Sequence, residues 1–424
     1  MNIVQQVSRP KGYENWLVVI FAFLSGVVML DRTAPAYLFP VIVPDLGLQM
    51  WQVGAITSAL SISWAVSGWA LGSISDYKGR RPILLPAVFI LSVLSWLTGV
   101  ASSFIQMVAA RATMGLAEGP VPPVTMAVMA EESTPTRRAF NMGAMSAMGP
   151  LLALAVGPIL TTQLATSVGW RWSFFIIGIP GIILGLILWK FLKEPGSVLA
   201  RRMAKAKGED ATLKIKYGDV LKYRNVWVAS IFAVLKFNYV FVFGAFGMLY
   251  LTNVQKMEMM QAGMAMAGMG LGGSVGIVLL PALSDFVGRK PVIAASSLVA
   301  GLSLIAFASV GSDFGLLFTF LFLGGISYGM INLGSGTVPA ESVPFHFSAT
   351  AVAIPITIGE ILGSTLMPMV AGGLADVYGL SITMYVAAIG AIAAAFISLL
   401  FTETAPRVLE RRARVASAGL DTAS

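Results

Sequence analysis

One short motif occurs twice in this chain, and the repeat decides how the sequence is organised. GSISDYKGRRP (residues 72–82) recurs as PALSDFVGRKP (residues 281–291), with the acidic, glycine and basic positions in register. Glu132 and Glu341, each with a proline three residues later, form a second pair at the same spacing. Two matches at one spacing indicate that the chain consists of two related halves.

The composition places this chain in a membrane. Of its 424 residues, 57% are hydrophobic and 11% are charged, and the mean hydropathy is +0.81, which lies far outside the range of soluble domains. The sequence contains no Cys, which excludes disulfides, a thiolate nucleophile and a Cys-ligated metal. Residues 1–15 lack the short apolar core and A-x-A site of a cleaved signal peptide, so we expect the first apolar segment to remain as a spanning helix.

The apolar runs of about 20 residues predict an all-α polytopic membrane protein. We expect twelve transmembrane helices in two pseudo-symmetric six-helix bundles. The predicted spans are residues 15–43, 51–74, 82–102, 105–131, 138–164, 171–192, 224–252, 259–284, 290–310, 314–337, 347–373 and 380–402. The densest cluster of charges lies between the sixth and seventh runs, so we predict an N-terminal bundle (1–192), a cytoplasmic linker (193–223), a C-terminal bundle (224–403) and a cytoplasmic tail (404–424).

The distribution of positive residues explains the net charge of +8 without nucleic acid. Most of the 28 Lys and Arg residues fall in loops on one side of the predicted membrane, and only Arg171 and Lys256 fall on the other. The positive-inside rule then predicts that both termini are cytoplasmic. We expect an integral, multi-pass protein of the plasma membrane, the inner membrane in a bacterium.

The first span carries two charges in its apolar interior, Asp31 and Arg32. A charge near the bilayer centre costs about 2.5–3.5 kcal/mol on insertion scales, so such residues usually face a cavity and act in transport or proton relay. Pro35 cannot donate to the carbonyl of Asp31, four residues earlier, so we expect a free polar carbonyl beside the charged pair.

The fourth span adds a second charged pair. Arg111 and Glu118 are seven residues apart, which places them on one helix face, and Gly115 between them is expected to leave space for a ligand. Pro122 and Pro123 release two helix carbonyls, so this end of the span should be irregular and line protein or water. The alternative is a structural Arg111–Glu118 ion pair.

The doubled motif and the six-plus-six arrangement resemble the major facilitator superfamily of transporters over nearly the whole chain. Members of that family carry such a motif between helices two and three and a copy between helices eight and nine. We expect a conformational latch, in which Asp76 accepts from the N-terminal amides of a neighbouring helix and Arg80 or Arg81 pairs with Glu131 or Glu132. The alternative is ordinary topological loop charge. The predicted latch residues are Gly72, Asp76, Gly79, Arg80, Arg81, Glu131, Glu132, Asp285 and Arg289.

Within that superfamily, Asp31-Arg32 with Arg111 and Glu118-Gly119 is similar to the anion:cation symporter family, carriers of sugar acids and other organic anions. The resemblance implies Arg32 and Arg111 as carboxylate binders and Asp31 and Glu118 as protonation sites. The residue chemistry agrees, because Arg holds a carboxylate with two hydrogen bonds and keeps its proton. A buried Asp or Glu, in contrast, can gain and lose one.

The later spans depart from that pattern. Asn238-Tyr239 matches the polar and aromatic start of the family's seventh helix and is predicted to contact substrate, but Lys236 is an addition. Lys236 is either a third anion-binding charge or a side chain that extends to the lipid headgroups. Glu360 in the eleventh span is either a proton or cation site or the partner of a Lys or a polar helix.

We predict secondary active import of a small organic anion, a sugar acid or another carboxylate, by proton symport with alternating access. The alternatives are an aromatic-acid proton symporter and a drug-type proton antiporter, and sodium is the alternative coupling ion. Enzyme-like glycine motifs at residues 268–276 lie inside one apolar helix, so no enzyme is predicted. We expect the lipid bilayer as partner, no nucleic acid, no cofactor and, by resemblance, a monomer. The single histidine, His346, has no second ligand at metal-binding spacing, so no metal site is predicted.

Overall fold

The computed structural model describes residues 10, 12–134, 136–196, 217–344, 347–411 and 414. His346 and most of the predicted linker fall outside these ranges. Within them, every regular element is helical. Ten helices are long and apolar enough to cross a membrane, and Ile382–Ser398 is a shorter apolar helix. The fourth predicted span is present as two consecutive helices, Phe104–Glu118 and Val121–Glu132, so the predicted twelve-helix fold is confirmed.

The chain divides into two compact units, Met1–Lys214 and Ile215–Ser424, called unit 1 and unit 2 below. Unit 1 contains the first six spans. They are Tyr13–Leu46; Met50–Lys78; Arg81–Val100; Phe104–Glu118 with Val121–Glu132; Arg138–Pro150 with π-helical Leu151–Val156 and Gly157–Val168; and Trp170–Phe191.

Unit 2 begins with a one-turn helix, Tyr217–Val220, and contains the other six spans. The seventh to ninth are Arg224–Leu249 with π-helical Tyr250–Val254, then Met259–Val287, and Arg289–Ser309. The tenth is Phe314–Ile326, 3₁₀-helical Ser327–Gly329, Met330–Asn332, π-helical Leu333–Thr337 and Val338–Glu341. The last two are Ser348–Ile358 with π-helical Gly359–Leu366 and Met367–Tyr378, and Ser381–Ser398.

The two units pack their spans in the same pairs. In unit 1 the second span packs on the fourth, the third on the sixth, and the first on the fifth and sixth. In unit 2 the eighth packs on the tenth, the ninth on the twelfth, and the seventh on the eleventh and twelfth. The repeat in the sequence is therefore a repeat of internal packing.

The helices also lose regularity at corresponding places. The fourth span breaks after Glu118, where three prolines follow within five residues, as predicted. The tenth span turns 3₁₀-helical at Ser327. Ser327 corresponds to Glu118, because the same number of residues separates these two as separates Asp76 from Asp285. Mid-helix 3₁₀ and π segments frequently mark functional positions, and each unit has its irregular backbone at the corresponding position of the repeat.

Glycines allow several spans to approach closely. A Cβ at Gly115 would lie 2.1 Å from Ser63 Oγ and 2.4 Å from the carbonyl oxygen of Leu60 in the second span. A Cβ at Gly276 would lie 1.8 Å from the carbonyl oxygen of Ile326 in the tenth. The expectation that Gly115 leaves space for a ligand is therefore wrong, because the second span fills that space.

Candidate functional site

The first and fourth spans bring their four charged residues together in unit 1. Arg111 Nη1 donates to the carbonyl oxygen of Asp31 at 3.2 Å, and Arg111 Nη2 donates to that of Arg32 at 2.8 Å. Glu118 lies close enough to interact electrostatically with Asp31, Arg111 and Arg32. We call these four residues the charged cluster. Sequence reasoning found its members but not that the two helices face each other at this depth.

Arg111 satisfies the backbone that Pro35 leaves unpaired. Proline has no N–H for the Asp31 carbonyl, and the guanidinium takes the place of the missing donor. Nη1 also contacts Met114 Sδ at 2.9 Å, and the whole side chain is buried. In this structure Arg111 fastens the fourth span to the first rather than presenting its Nη donors to a ligand.

Asp31 is 1% exposed and interacts with two neighbouring spans. Its Oδ1 accepts from Ser95 Oγ in the third span at 2.6 Å. Its Oδ2 has no hydrogen-bond partner among the described residues. A buried ionised carboxylate with an unfilled oxygen is costly, so this environment favours a carboxyl group that takes up a proton.

Glu118 is 0% exposed, and neither carboxylate oxygen has a hydrogen-bond partner in the part of the chain that the structure describes. The alternative of an Arg111–Glu118 ion pair is therefore wrong for this structure. The helix ends directly after Glu118, so the acid lies at the break in the fourth span. Such a group is suited to bind and release a proton rather than to hold the fold together.

Arg32 differs from Arg111 because it is only half-buried. Its Nη2 donates to Ser61 Oγ of the second span at 3.3 Å, and its guanidinium carbon lies 4.8 Å from the centre of the Trp64 ring. An aromatic face attracts and orients a guanidinium. Because Arg32 is less buried than Arg111, it is the more accessible of the two arginines.

Unit 2 buries a lysine beside Ser327, the residue that corresponds to Glu118. Lys236 is 0% exposed, its Nζ donates to Ser327 Oγ at 3.0 Å and lies 5.0 Å from the centre of the Tyr239 ring. The Tyr239 hydroxyl also hydrogen-bonds Ser327. The alternative in which Lys236 extends to the lipid headgroups is wrong, because the ammonium is held inside the unit. The alternative that it binds an anion remains a prediction.

Asn238 and Glu360 are held by their own unit. Asn238 Nδ2 donates to the carbonyl oxygen of Val386 at 3.0 Å and fastens the seventh span to the twelfth. Glu360 is 5% exposed in the π-helical segment of the eleventh span, and its carboxylate accepts from Ser364 Oγ. The structure thus places Asn238 in helix packing, while its predicted substrate contact stays a prediction.

The first copy of the repeated motif forms a polar network. Arg80 Nη2 pairs with Glu131 Oε1 at 3.0 Å, and Arg80 Nη1 donates to Ser75 Oγ at 2.7 Å. Of the two acids predicted as partners, Glu131 and Glu132, the structure thus pairs Arg80 with Glu131. The side chain of Asp76 is outside the described part of the structure.

The second copy repeats this network. Arg289 Nη2 pairs with Glu341 Oε1 at 3.1 Å, Nη1 pairs with Asp285 at 2.6 Å, and Nη1 also donates to Ser284 Oγ at 2.6 Å. Gly79 and Gly288 end the preceding helices with φ of 107° and 118°, a region that favours glycine. Gly79 and Gly288 hold the same position in the two copies of the motif, and in both copies the backbone conformation requires glycine.

Two glutamates that sequence reasoning missed complete the networks. Glu194 accepts from the backbone N–H groups of Arg80 and Arg81 at 2.5 and 3.0 Å. Glu403 accepts from those of Arg289 and Lys290 at 2.8 and 3.2 Å. Each carboxylate lies just beyond the last span of its unit and caps the N-terminus of the third span or the ninth. The signal was available, because the two glutamates recur at the spacing of the motif itself.

The comparisons with known proteins agree with this fold. The model of the Major Facilitator Superfamily matches residues 21–284 and 237–422. The hexuronate transporter of Bacillus subtilis (strain 168) is 28% identical over 345 residues, 79% of this chain and 78% of that protein. The cis,cis-muconate transport protein of Acinetobacter baylyi is 26% identical over 378 residues, 86% of this chain and 89% of that protein.

A solved structure supports the fold independently. The crystal structure of a bacterial homolog of the human lysosomal transporter Spinster, in an inward-facing and unoccupied conformation, has a TM-score of 0.78. It is 20% identical and covers 92% of this chain and 97% of that chain. With the family match and the twelve-helix fold, these findings make the protein a multi-pass membrane transporter and not an enzyme. The chain belongs to the Major Facilitator Superfamily.

Proposed function

We propose that this protein imports a small organic anion, such as a sugar acid or another carboxylate, together with protons. The transport is secondary active and proceeds by alternating access, in which the binding site opens to one side of the membrane at a time. The relatives named for hexuronate and cis,cis-muconate transport support an organic anion as substrate. Proton coupling is supported by the chemistry of the charged cluster.

One observation carries the proposal. In the charged cluster, two buried acids leave carboxylate oxygens without hydrogen-bond partners, while the half-buried Arg32 lies beside them. Protonation of Asp31 and Glu118 removes two negative charges and leaves the arginines unbalanced. An anion on Arg32 then offsets part of that positive charge, which ties anion binding to proton uptake.

The residues divide this work. Arg32 binds the carboxylate of the substrate, Asp31 and Glu118 carry protons, and Arg111 keeps the first and fourth spans together through the cycle. On the inner side the substrate leaves, the acids lose their protons, and the balance of charge within the cluster is restored. If more protons than anionic charges enter, the membrane potential contributes about 2.3 kcal/mol per net charge per 100 mV.

Further residues of unit 2 belong to the proposal. Lys236, Asn238 and Tyr239 are proposed as further substrate-binding residues, and Glu360 is proposed as a further acid for proton coupling. The two motif networks act as latches that hold one state of the cycle. Both termini are proposed to be cytoplasmic, in the inner membrane if the source is a bacterium.

Uptake by purified protein in proteoliposomes tests the proposal. We expect a hexuronate, an aldonate or a muconate to accumulate when the outside is more acidic than the lumen, and accumulation to collapse with a protonophore. A sodium gradient in place of the pH gradient is expected to drive none. If no organic acid of such a panel accumulates under either gradient, the proposal is wrong. Efflux of lipophilic cations instead would identify a drug-type antiporter.

A further inference from the structure

Ser95 joins the proposed proton site to the sixth span. Its side chain is fully buried in the third span. Its Oγ lies 2.6 Å from Asp31 Oδ1 and 3.1 Å from the carbonyl oxygen of Phe174 in the sixth span. The hydroxyl thus lies within hydrogen-bonding distance of two acceptors on two different helices.

A serine hydroxyl has one proton to donate and two lone pairs to accept with. When Asp31 is ionised, the Ser95 proton is needed by the carboxylate, and the carbonyl of Phe174 receives none from Ser95. When Asp31 is protonated, its own O–H can donate to Ser95 Oγ, and the Ser95 proton is then free to bond the Phe174 carbonyl. The Ser95 proton has an acceptor in both states, but the hydrogen bond to the sixth span exists only when Asp31 is protonated.

We propose that Ser95 is a positioning residue that follows the protonation state of Asp31 and transmits it to the sixth span through the carbonyl of Phe174. This inference rests on the proposed function in one respect, namely that Asp31 gains and loses a proton during transport. It adds to that function the device by which the proton changes a contact between helices. One proton is added to the Asp31 carboxylate, and the Ser95 O–H rotates from Asp31 towards the carbonyl of Phe174.

Other charges around Asp31 are separate from this device. Arg32 is its neighbour on the first span, and Arg111 and Glu118 face it from the fourth. Ser95 and Phe174 are the contacts that the third and sixth spans make with this switch. Replacing Ser95 therefore leaves the charges of the cluster unchanged and alters only the hydrogen bond.

Removal of the hydroxyl has a definite sign. A hydrogen bond to a charged group is roughly twice as strong as one between neutral groups. Ser95→Ala thus weakens the ionised form of Asp31 more than the protonated form. The variant releases its proton less readily, and its uptake should recover when the lumen is made more alkaline by about one pH unit.

Ser92 provides a matched control. It lies one turn away on the same span, is equally buried, and also packs against the sixth span, but its Oγ donates to the carbonyl oxygen of Val88 at 2.9 Å within its own helix. Ser92→Ala therefore removes a buried hydroxyl of the third span without touching Asp31. Ser95→Thr keeps the hydroxyl at the tested position.

The first experiment measures anion uptake into proteoliposomes as the lumenal pH is varied. For Ser95→Ala we expect uptake about tenfold below wild type at lumenal pH 7, with recovery about one unit higher. Ser95→Thr and Ser92→Ala should keep the wild-type profile. An unchanged profile for Ser95→Ala, or a loss that is equal at every pH, would overturn the inference, because the hydroxyl would then be irrelevant or merely structural.

A second measurement does not depend on transport. Infrared difference spectra of the purified full-length protein report the protonated carboxyl of Asp31, a band identified by its loss in Asp31→Asn. We expect this band in Ser95→Ala to move to higher frequency and to appear at higher pH, and to stay unchanged in Ser92→Ala. If wild type imports no anion but the band responds to Ser95, the proposed function fails and the switch stands. If wild type imports anions but the band does not change in Ser95→Ala, the proposed function stands and the switch fails.

Discussion

The two units of this transporter agree at the repeated motif and differ in the membrane interior. At the motif, Arg80 and Arg289 each bond a serine five residues earlier and a glutamate at the end of the fourth or tenth span. Glu194 and Glu403 cap the next helix in the same way. The interior has no such agreement. The residues of unit 2 that correspond to Asp31, Arg32, Arg111 and Glu118 are Val240, Phe241, Phe320 and Ser327.

This difference separates what the fold needs from what transport needs. Unit 2 packs its spans in the same pairs as unit 1 with apolar residues at three of the four positions. The charged cluster is thus dispensable for packing a six-helix unit and costly to bury. Its presence in unit 1 alone supports the proposal that Asp31 and Glu118 exchange protons in this half, whereas the motif networks occur in both halves.

The largest effect is expected where the interiors differ most, at Arg111. Arg111→Ala leaves two carbonyls of the first span without their donor and removes a buried positive charge beside Asp31 and Glu118, so the free energy of unfolding should fall by about 3–5 kcal/mol. Reversible unfolding of the detergent-solubilised protein measures this. Arg171→Ala, which breaks an exposed pair with Asp45, should cost under about 1 kcal/mol. Equal losses for the two variants would show that Arg111 does not clamp the spans.

Arg32 tests whether the cluster binds the anion. Arg32→Gln should weaken anion binding by about 100-fold, roughly 2.7 kcal/mol, because a neutral amide cannot replace a guanidinium opposite a carboxylate. Arg171→Gln is the matched control, since Arg171 also pairs with an aromatic ring, 4.2 Å from Trp170, but is exposed. Equilibrium binding of labelled substrate measures both. Unchanged affinity in Arg32→Gln would remove Arg32 from the binding site.

Glycine packing is a requirement of the fold rather than of transport. Gly115→Ala would place a methyl group 2.1 Å from Ser63 Oγ, so a loss of stability of about 1–3 kcal/mol is expected. A Cβ at Gly143, inside a helix of the fifth span, meets nothing within 4 Å, so Gly143→Ala should be neutral or slightly stabilising. Thermal unfolding in detergent compares the two, and a neutral Gly115→Ala would contradict the close approach of the second and fourth spans.

The smallest effects test the agreement between the units. Glu194→Gln and Glu403→Gln each weaken a cap by about 1 kcal/mol, so amide exchange at residues 80–81 and 289–290 should rise several-fold. The faster amide exchange should be confined to the unit that carries the substitution. A response in only one unit would show that the two networks, alike in geometry, differ in strength.

The sequence predicted the fold well because its signals are local and repeated. Apolar runs of spanning length, the proline run after Glu118 and the doubled motif each report on structure within a few residues. The twelve spans and the break in the fourth span followed from these patterns. The charged cluster was also visible, because a charge in an apolar helix is conspicuous in any sequence.

The sequence could not supply the partners across helices. Ser95 looks like any small residue of an apolar span, and only the packing of the third span on the first shows that it contacts Asp31. Arg111 is predicted to bind the anion, and the structure adds that its Nη1 and Nη2 donate to backbone carbonyls of the first span. The Gly115 prediction failed for the same reason, since one helix does not reveal which neighbour fills its groove.

The central claim is that Asp31 couples proton movement to anion movement. The most direct test measures two activities of one variant, substrate counterflow and accumulation driven by a pH gradient. Asp31→Asn keeps the shape and the acceptor for Ser95 but cannot carry a proton through the cycle. We predict that proteoliposomes with this variant still exchange internal for external anion, yet lose accumulation driven by a pH gradient. Accumulation at the wild-type level in Asp31→Asn would contradict the account.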